Sequence, residues 1–107
     1  MRKAQVLYKG EISGVITQQD DGTFCFTYNT EWLENPLKPS ISLTLPKTTA
    51  SYQSDFLFSF FYNMLPEGTN KQHICQALRL DMDDVFGLLL AVAQHDAIGA
   101  VLVKPIL

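Results

Sequence analysis

Few side chains in this sequence have the type and spacing that catalysis requires. The stretch 84–87 places an Asp, a Phe and a Gly close together, as in the metal-binding Asp-Phe-Gly motif of protein kinases, but Val85 interrupts it and no His-Arg-Asp loop precedes it. We therefore expect Asp84 to cap a helix and Phe86 to pack in the core. None of the six glycines falls in a Gly-x-Gly-x-x-Gly or Gly-x-x-x-x-Gly-Lys pattern, so a phosphate-binding loop is also excluded.

The histidines and cysteines predict neither a metal site nor a catalytic group. His73, Cys75 and His95 have no Cys-x-x-Cys or His-x₃₋₅-His spacing. His95 and Asp96 are sequence neighbours, which do not form the geometry of a triad, and we expect His95 to end a helix. Cys25 and Cys75 lack the basic neighbours of a reactive thiolate, and without a secretory signal we expect both to be reduced, buried thiols. The sequence thus predicts a protein that is not an enzyme and has no metal and no cofactor.

The residues around these candidates divide into strands first and helices second. The predicted strands are 5–8, 11–17, 24–28, 41–45 and 100–103, and those at 24–28 and 41–45 have the alternating apolar pattern of a half-buried strand. Lys9-Gly10 and Asp20–Gly22 are predicted turns, because glycine there allows a positive φ. A helical turn is expected at 30–33 and an exposed polar loop at 47–54.

The second half changes to helical spacing. Apolar residues from 56 to 65 form a helical stripe, and residues 69–72 have the form of a capping box that begins a helix ending at Leu78. Carboxylates at 81–84 precede an apolar helix body at 85–92. This order predicts an α+β domain, in which two to three helices pack on a small, mostly antiparallel sheet of about five strands.

Length and composition restrict the class of protein. The chain has 107 residues, which predicts one domain over 1–107, and its 47% apolar content excludes a disordered chain. The net charge of −3 argues against direct nucleic-acid binding. The longest apolar run, 85–93, is shorter than the ~20 residues of a membrane span, so we expect no membrane association and a cytoplasmic location. Only 18% of the residues are charged, so part of the surface has to be apolar or uncharged. Such a surface indicates a binding partner.

Two features exceed what folding alone requires. Phe58 and Tyr62 lie on a different helical face from Phe56 and Phe60, so one stripe does not bury all of these rings. Either loops cover the second face, or it meets a partner protein, since aromatic side chains anchor interfaces. The other feature is the Leu-Pro-Glu-Gly stretch at 65–68, which is either a structural turn or a surface loop that docks elsewhere.

Four segments in order resemble the N-terminal subdomain of HipA-type serine/threonine kinase toxins. The segments are Trp32-Leu33, the Pro-Ser-Ile-Ser-Leu-Thr-Leu-Pro strand at 39–46, the Asn-Met-Leu-Pro-Glu-Gly helix end at 63–68, and 84–89 followed by His-Asp-Ala-Ile-Gly-Ala at 95–100. The resemblance runs from about residue 4 to Pro105 and implies the fold of that subdomain.

The resemblance also implies a function. In HipA-like kinases the ATP site and the catalytic loop follow this subdomain, whereas this sequence stops at Leu107. It is therefore similar to HipS, the stand-alone antitoxin of HipBST-type bacterial toxin–antitoxin systems, which implies that it binds and inhibits a HipT-like serine/threonine kinase. A HipB-like helix-turn-helix DNA-binding protein would complete the complex. The expected contacts with the kinase are Trp32, Phe58, Tyr62, Pro66, Glu67 and Gly68.

Two alternatives stay open at this point. The chain could be a non-inhibitory assembly module that bridges the kinase and the helix-turn-helix repressor, or it could be a segment of a full-length kinase. An independent enzyme is the least supported function, because no nucleophile–base pair or cofactor loop is found.

Overall fold

The computed structural model describes residues 1–93 and 100–106 and contains one five-stranded antiparallel sheet. The elements in chain order are β1 (Arg2–Tyr8), β2 (Glu11–Gln18), β3 (Phe24–Tyr28), α1 (Thr30–Glu34), β4 (Ser51–Ser54), α2 (Ser59–Tyr62), α3 (Gly68–Leu78), α4 (Val85–Ala93) and β5 (Val101–Pro105). The strand order is β4-β3-β2-β1-β5. The predicted α+β class is confirmed, with four helices instead of two to three. The predicted helix end at His95 lies outside the described residues.

Both hairpin turns lie where the sequence predicted them. Lys9 and Gly10 have φ angles of 50° and 84°, which match a tight two-residue hairpin turn between β1 and β2. Gly22 has a φ of 88° in the turn between β2 and β3, where Thr23 N donates to Asp21 Oδ1 at 3.0 Å. These turns make β1, β2 and β3 consecutive antiparallel neighbours.

The fourth strand is not where the alternation placed it. Residues 41–45 form a turn, closed by a hydrogen bond of 3.2 Å from Leu45 N to Ser42 O. In a strand Leu43 and Leu45 would share a face, but Leu43 is 98% exposed and Leu45 is buried. The strand is β4, within the segment 47–54 that was expected to be a loop; it is an edge strand, for which a polar sequence is suitable.

The helical segment after β4 is shorter than the apolar stripe at 56–65 predicted. Phe58 stands before the first residue of α2, which is a single turn, and Phe56 is 79% exposed. The capping box at Thr69 was also wrong: the N-cap of α3 lies two residues earlier, at Glu67, which is extended and forms no side-chain cap bond. The predicted C-terminal end of this helix is confirmed.

The N-terminus of α4 is as the sequence predicted. Asp84 Oδ1 accepts a hydrogen bond of 3.0 Å from Gly87 N, which is the bond of an N-cap. The same carboxylate oxygen accepts a hydrogen bond of 3.0 Å from Arg2 of β1. Phe86 is fully buried and stacks on Phe24 of β3, with 6.3 Å between the ring centroids. The kinase-like stretch therefore has a structural role.

The core lies between one face of the sheet and the helices. Phe26 of β3 is at its centre, with its ring centroid 5.9 Å from that of Phe61 in α2 and 4.9 Å from that of Tyr28. The strand residues buried on this face are Ala4, Val6, Ile16, Phe24, Phe26, Tyr28, Val101 and Val103. Because α1, α2 and α4 all cover this face, the candidate site residues are carried on its helices and connections.

Candidate functional site: the α2–α3 corner, the Trp32 cleft and an open sheet face

Four of the six predicted contact residues lie together where α2 meets α3. We call Tyr62, Pro66, Glu67 and Gly68 the corner. Tyr62 is 53% exposed, Glu67 and Gly68 are exposed, and Pro66 is half-buried. Gly68 has a φ of 57°, in the region that glycine adopts without strain, so the sharp change of direction depends on this residue. The corner is accessible to a partner, and its role as a contact stays a prediction.

Phe58 precedes α2 and packs beside the helical turn that carries Tyr62. It is half-buried, and its ring makes an edge contact with Phe61, at 6.4 Å between centroids. Its backbone oxygen accepts hydrogen bonds from Phe61 N at 3.0 Å and from Tyr62 N at 2.9 Å. Phe58 thus starts the single turn of α2 that presents Tyr62, and it offers a partner only the exposed part of its own ring.

Trp32 lies away from the corner, on α1. It is only 4% exposed, its ring centroid is 5.6 Å from that of Tyr8, and its indole N–H donates to Pro39 O at 2.9 Å. One edge of the ring borders a cleft of about 480 Å³ between α1 and the β1–β2 turn, which we call the Trp32 cleft. Lys38 stands at its rim, with its ammonium bonded to Glu11 and 5.3 Å from the Trp32 ring. A second cleft of about 290 Å³, on the side of Tyr8 and Pro39, also borders Trp32, so these two clefts are where a partner could reach it.

Tyr28 holds the connection that forms one wall of the cleft. Its hydroxyl donates to Leu45 O and accepts a hydrogen bond of 3.2 Å from Ile41 N. Burial raises the pKa of the Tyr28 hydroxyl above its ordinary value. Lys47 Nζ donates to the backbone oxygens of Asn35 and Lys38, at 2.7 Å each. The connection between α1 and β4 is therefore tied to the core despite its lack of regular structure.

The titratable groups do not assemble into a metal site in the part of the chain that the structure describes, where no group of three or more His, Cys, Asp or Glu lies within ligating reach. Cys75 is buried as expected, but Cys25 is only half-buried, because it lies on the side of the sheet away from the helices; both are free thiols. No described helix is long and apolar enough to cross a membrane.

The second face of the sheet is the surface that the sequence analysis missed. Its apolar residues neither belong to the buried core nor pack against it, and α1, α2 and α4 cover the opposite side, so we call it the open face. Its strand residues are Lys3, Gln5, Leu7, Ile12, Val15, Thr17, Cys25, Thr27, Ser51, Gln53, Leu102 and Lys104. The available signal was the presence of consecutive apolar residues at 6–7, 15–16 and 101–103, where a half-buried strand should alternate.

Known proteins resemble this chain over nearly its whole length. An uncharacterised protein of Haemophilus influenzae is 32% identical over 97% of this chain and 92% of its own length. Two putative kinases of Sinorhizobium fredii, Y4mE and Y4dM, are 30% and 29% identical, and the chain spans only 25% of each.

A solved structure and a family model agree with these relatives. The N-terminal domain of HipA toxin has a TM-score of 0.74 and 29% sequence identity, over 100% of this chain and 94% of that one. The family model described as the HipA N-terminal domain matches residues 4–104. The family resemblance expected from Trp32-Leu33, the segment 39–46 and the Leu-Pro-Glu-Gly stretch at 65–68 is thereby confirmed. The protein belongs to the HipA N-terminal domain family.

Proposed function

We propose that this protein is a non-catalytic antitoxin of a HipBST-type system, which binds a HipT-like serine/threonine kinase in the cytoplasm and inhibits it. A HipB-like helix-turn-helix protein is the third member of the complex. The observation that carries the proposal is that the chain matches a domain which makes up about a quarter of two putative kinases. The Haemophilus relative supports it, since 92% of that protein is covered by this one domain.

A detached domain keeps the surfaces that it uses when it is fused. A domain that is covalently part of a kinase contacts the remainder of that kinase, and a separate copy can bind a shortened kinase through the same surface. Covalent linkage supplies a high effective concentration, so a free domain needs a larger or better-packed contact to bind at cellular concentrations.

Inhibition requires only a small displacement in the kinase. Phosphoryl transfer depends almost entirely on the positions of the phosphates, the metal ions and the acceptor hydroxyl. A misplacement of about 1 Å can lower the rate by about a hundredfold. A rigid domain bound beside the ATP-binding loop is sufficient for this, and it contributes no reacting group of its own.

The test is a titration of the proposed partner, a HipT-like kinase, with this protein. Phosphorylation by a fixed amount of kinase is measured while the protein is added from zero to a several-fold excess, and binding is measured by pull-down in the same samples. We expect activity to fall to an endpoint at an equimolar ratio, with both proteins co-purifying. The heat-denatured protein serves as the control, because it has the same composition without the fold.

The two other results each have a clear meaning. Binding without a loss of phosphorylation would refute inhibition and favour the alternative function, an assembly module that joins the kinase to the repressor. No binding at all would contradict both functions, and the family membership would then describe only the fold.

A further inference from the structure

The open face carries an apolar cluster on β1, β2 and β5 that is separate from the buried core. Leu7 in β1 is opposite Leu102 in β5 and Ile12 in β2, so these three side chains are cross-strand neighbours. Val15, opposite Gln5, lies on the same face. Ile12 is 41% exposed, and the other three side chains are half-buried. Outward residues of an antiparallel sheet with one face in water are normally polar. Four branched apolar side chains in this place indicate contact with another molecule.

The part of the open face on β3 and β4 is polar, and its side chains form hydrogen bonds with one another. Thr27 and Ser51 share a hydrogen bond of 3.0 Å between their hydroxyl oxygens, and Cys25 Sγ lies 3.5 Å from Ser51 Oγ. These side chains, on β3 and β4, bond one another and need no partner. The unpartnered surface is therefore confined to β1, β2 and β5.

The charges beside the apolar cluster are positive. Lys104 is opposite Gln5, and Lys3 is its diagonal neighbour on β1. Neither lysine has an ion-pair partner in the described residues, and the strand positions of the open face include no carboxylate. The whole chain carries a net charge of −3, so this positive end is a local feature. Its complement is a protein surface with an apolar centre and carboxylates along one rim.

We propose that the open face is the docking surface for the kinase, which presents such a carboxylate-rimmed apolar surface to it. This inference rests on the proposed function and names the side of the domain that carries it out. Ile12 also lines the Trp32 cleft, so the docking surface continues around the β1–β2 turn toward Trp32. The corner, by contrast, belongs to the helical side.

The experiment compares surface variants of the full chain for their affinity for the kinase and for their melting temperature. The double variant Lys3→Glu/Lys104→Glu reverses the charge at the end of the open face. Lys71→Glu in α3, combined with Arg79→Glu at its C-cap, changes the net charge by the same amount and is the control. We expect the first variant to bind at least tenfold more weakly, and the control to bind like the wild type. A second variant, Leu7→Thr/Leu102→Thr, replaces two apolar side chains by polar β-branched ones, which suit a strand, and should also weaken binding.

The corner variant Tyr62→Ala/Glu67→Lys completes the comparison. If both open-face variants bind and inhibit like the wild type while the corner variant does not, the proposal is wrong and the antitoxin function stands. If the wild-type chain itself does not bind the kinase, the proposal and the proposed function fail together. The charge-reversal variant lies entirely on exposed lysines, so its result does not depend on whether the leucine variant folds.

Discussion

Replacement of Tyr28 by Phe tests how the connection between α1 and β4 is held. The change removes one oxygen and leaves the buried ring, which packs 4.9 Å from Phe26. The hydroxyl donates to Leu45 O and accepts from Ile41 N at 3.2 Å, so two hydrogen bonds are lost together. Each such bond contributes about 1 kcal/mol net, and we expect the free energy of unfolding to fall by about 2 kcal/mol. For a domain of this size that corresponds to a decrease of about 8 °C in Tm.

The assay is urea unfolding followed by circular dichroism, with Tyr62→Phe as the control. Tyr62 is exposed and its hydroxyl forms no hydrogen bond with the described residues, so its replacement should change stability by less than about 0.5 kcal/mol. Amide hydrogen exchange should also become faster at residues 36–46 in Tyr28→Phe. A loss below 0.5 kcal/mol, or exchange that stays unchanged there, would show that the hydroxyl does not hold the connection.

The pH dependence supplies a second readout of the same residue. Burial raises the pKa of Tyr28 in the folded state above the ordinary value of 10.0. The stabilisation from the neutral hydroxyl is thus complete below pH 10 and is lost as the pH rises through the folded-state pKa. We expect the difference in stability between the wild type and Tyr28→Phe to narrow above pH 10. A difference that is constant across this range would contradict the assignment.

Two further predictions concern the sheet and the N-terminus of α4. A Cβ at Gly14 would lie 2.9 Å from the Phe26 ring and closer still to Thr27 O, so Gly14→Ala should destabilise the domain by about 1–3 kcal/mol in urea unfolding; an unchanged midpoint would show that β2 and β3 adjust freely. Asp84→Ala removes the N-cap bond to Gly87 and should cost about 1 kcal/mol, whereas Asp84→Asn retains a capping oxygen and should recover most of it. Asp83→Ala is the matched control, and equal losses in the Ala and Asn variants of Asp84 would assign the effect to the ion pair with Arg2 instead.

Local chemistry was enough to predict the parts of the fold where neighbouring residues determine the backbone. Glycine at position 10 and at position 22 permits the positive φ of the hairpin turns, and these turns place β1, β2 and β3 side by side. Asp84 is followed by a helix that is apolar nearly all round, so its cap and its burial could both be predicted. The family resemblance rested on motifs of the same local kind.

The candidate site could be predicted only in part. Tyr62, Glu67 and Gly68 are accessible as expected, because they lie where one helical segment ends at a proline and the next begins. The burial of Trp32 could not be predicted, since it depends on Tyr8, from a distant strand, and on a hydrogen bond to Pro39 across an irregular connection. The alternation at 41–45 predicted a strand. It could not show that the Tyr28 hydroxyl would form hydrogen bonds with both ends of this segment, which is a turn.

The class of the fold, the turns, the strands of the hairpins and the family follow from residue type and spacing along the chain. The choice of the polar segment that became β4, and of the sheet face that stayed outside the core, depended on packing between distant parts of the chain. A strand such as β4 forms because β3 offers it unpaired backbone groups, and not because its own residues favour an extended chain. The open face lies outside the core because α1, α2 and α4 pack on the other side of the sheet. Which side they pack on depends on long-range contacts, and no local pattern of residues encodes it.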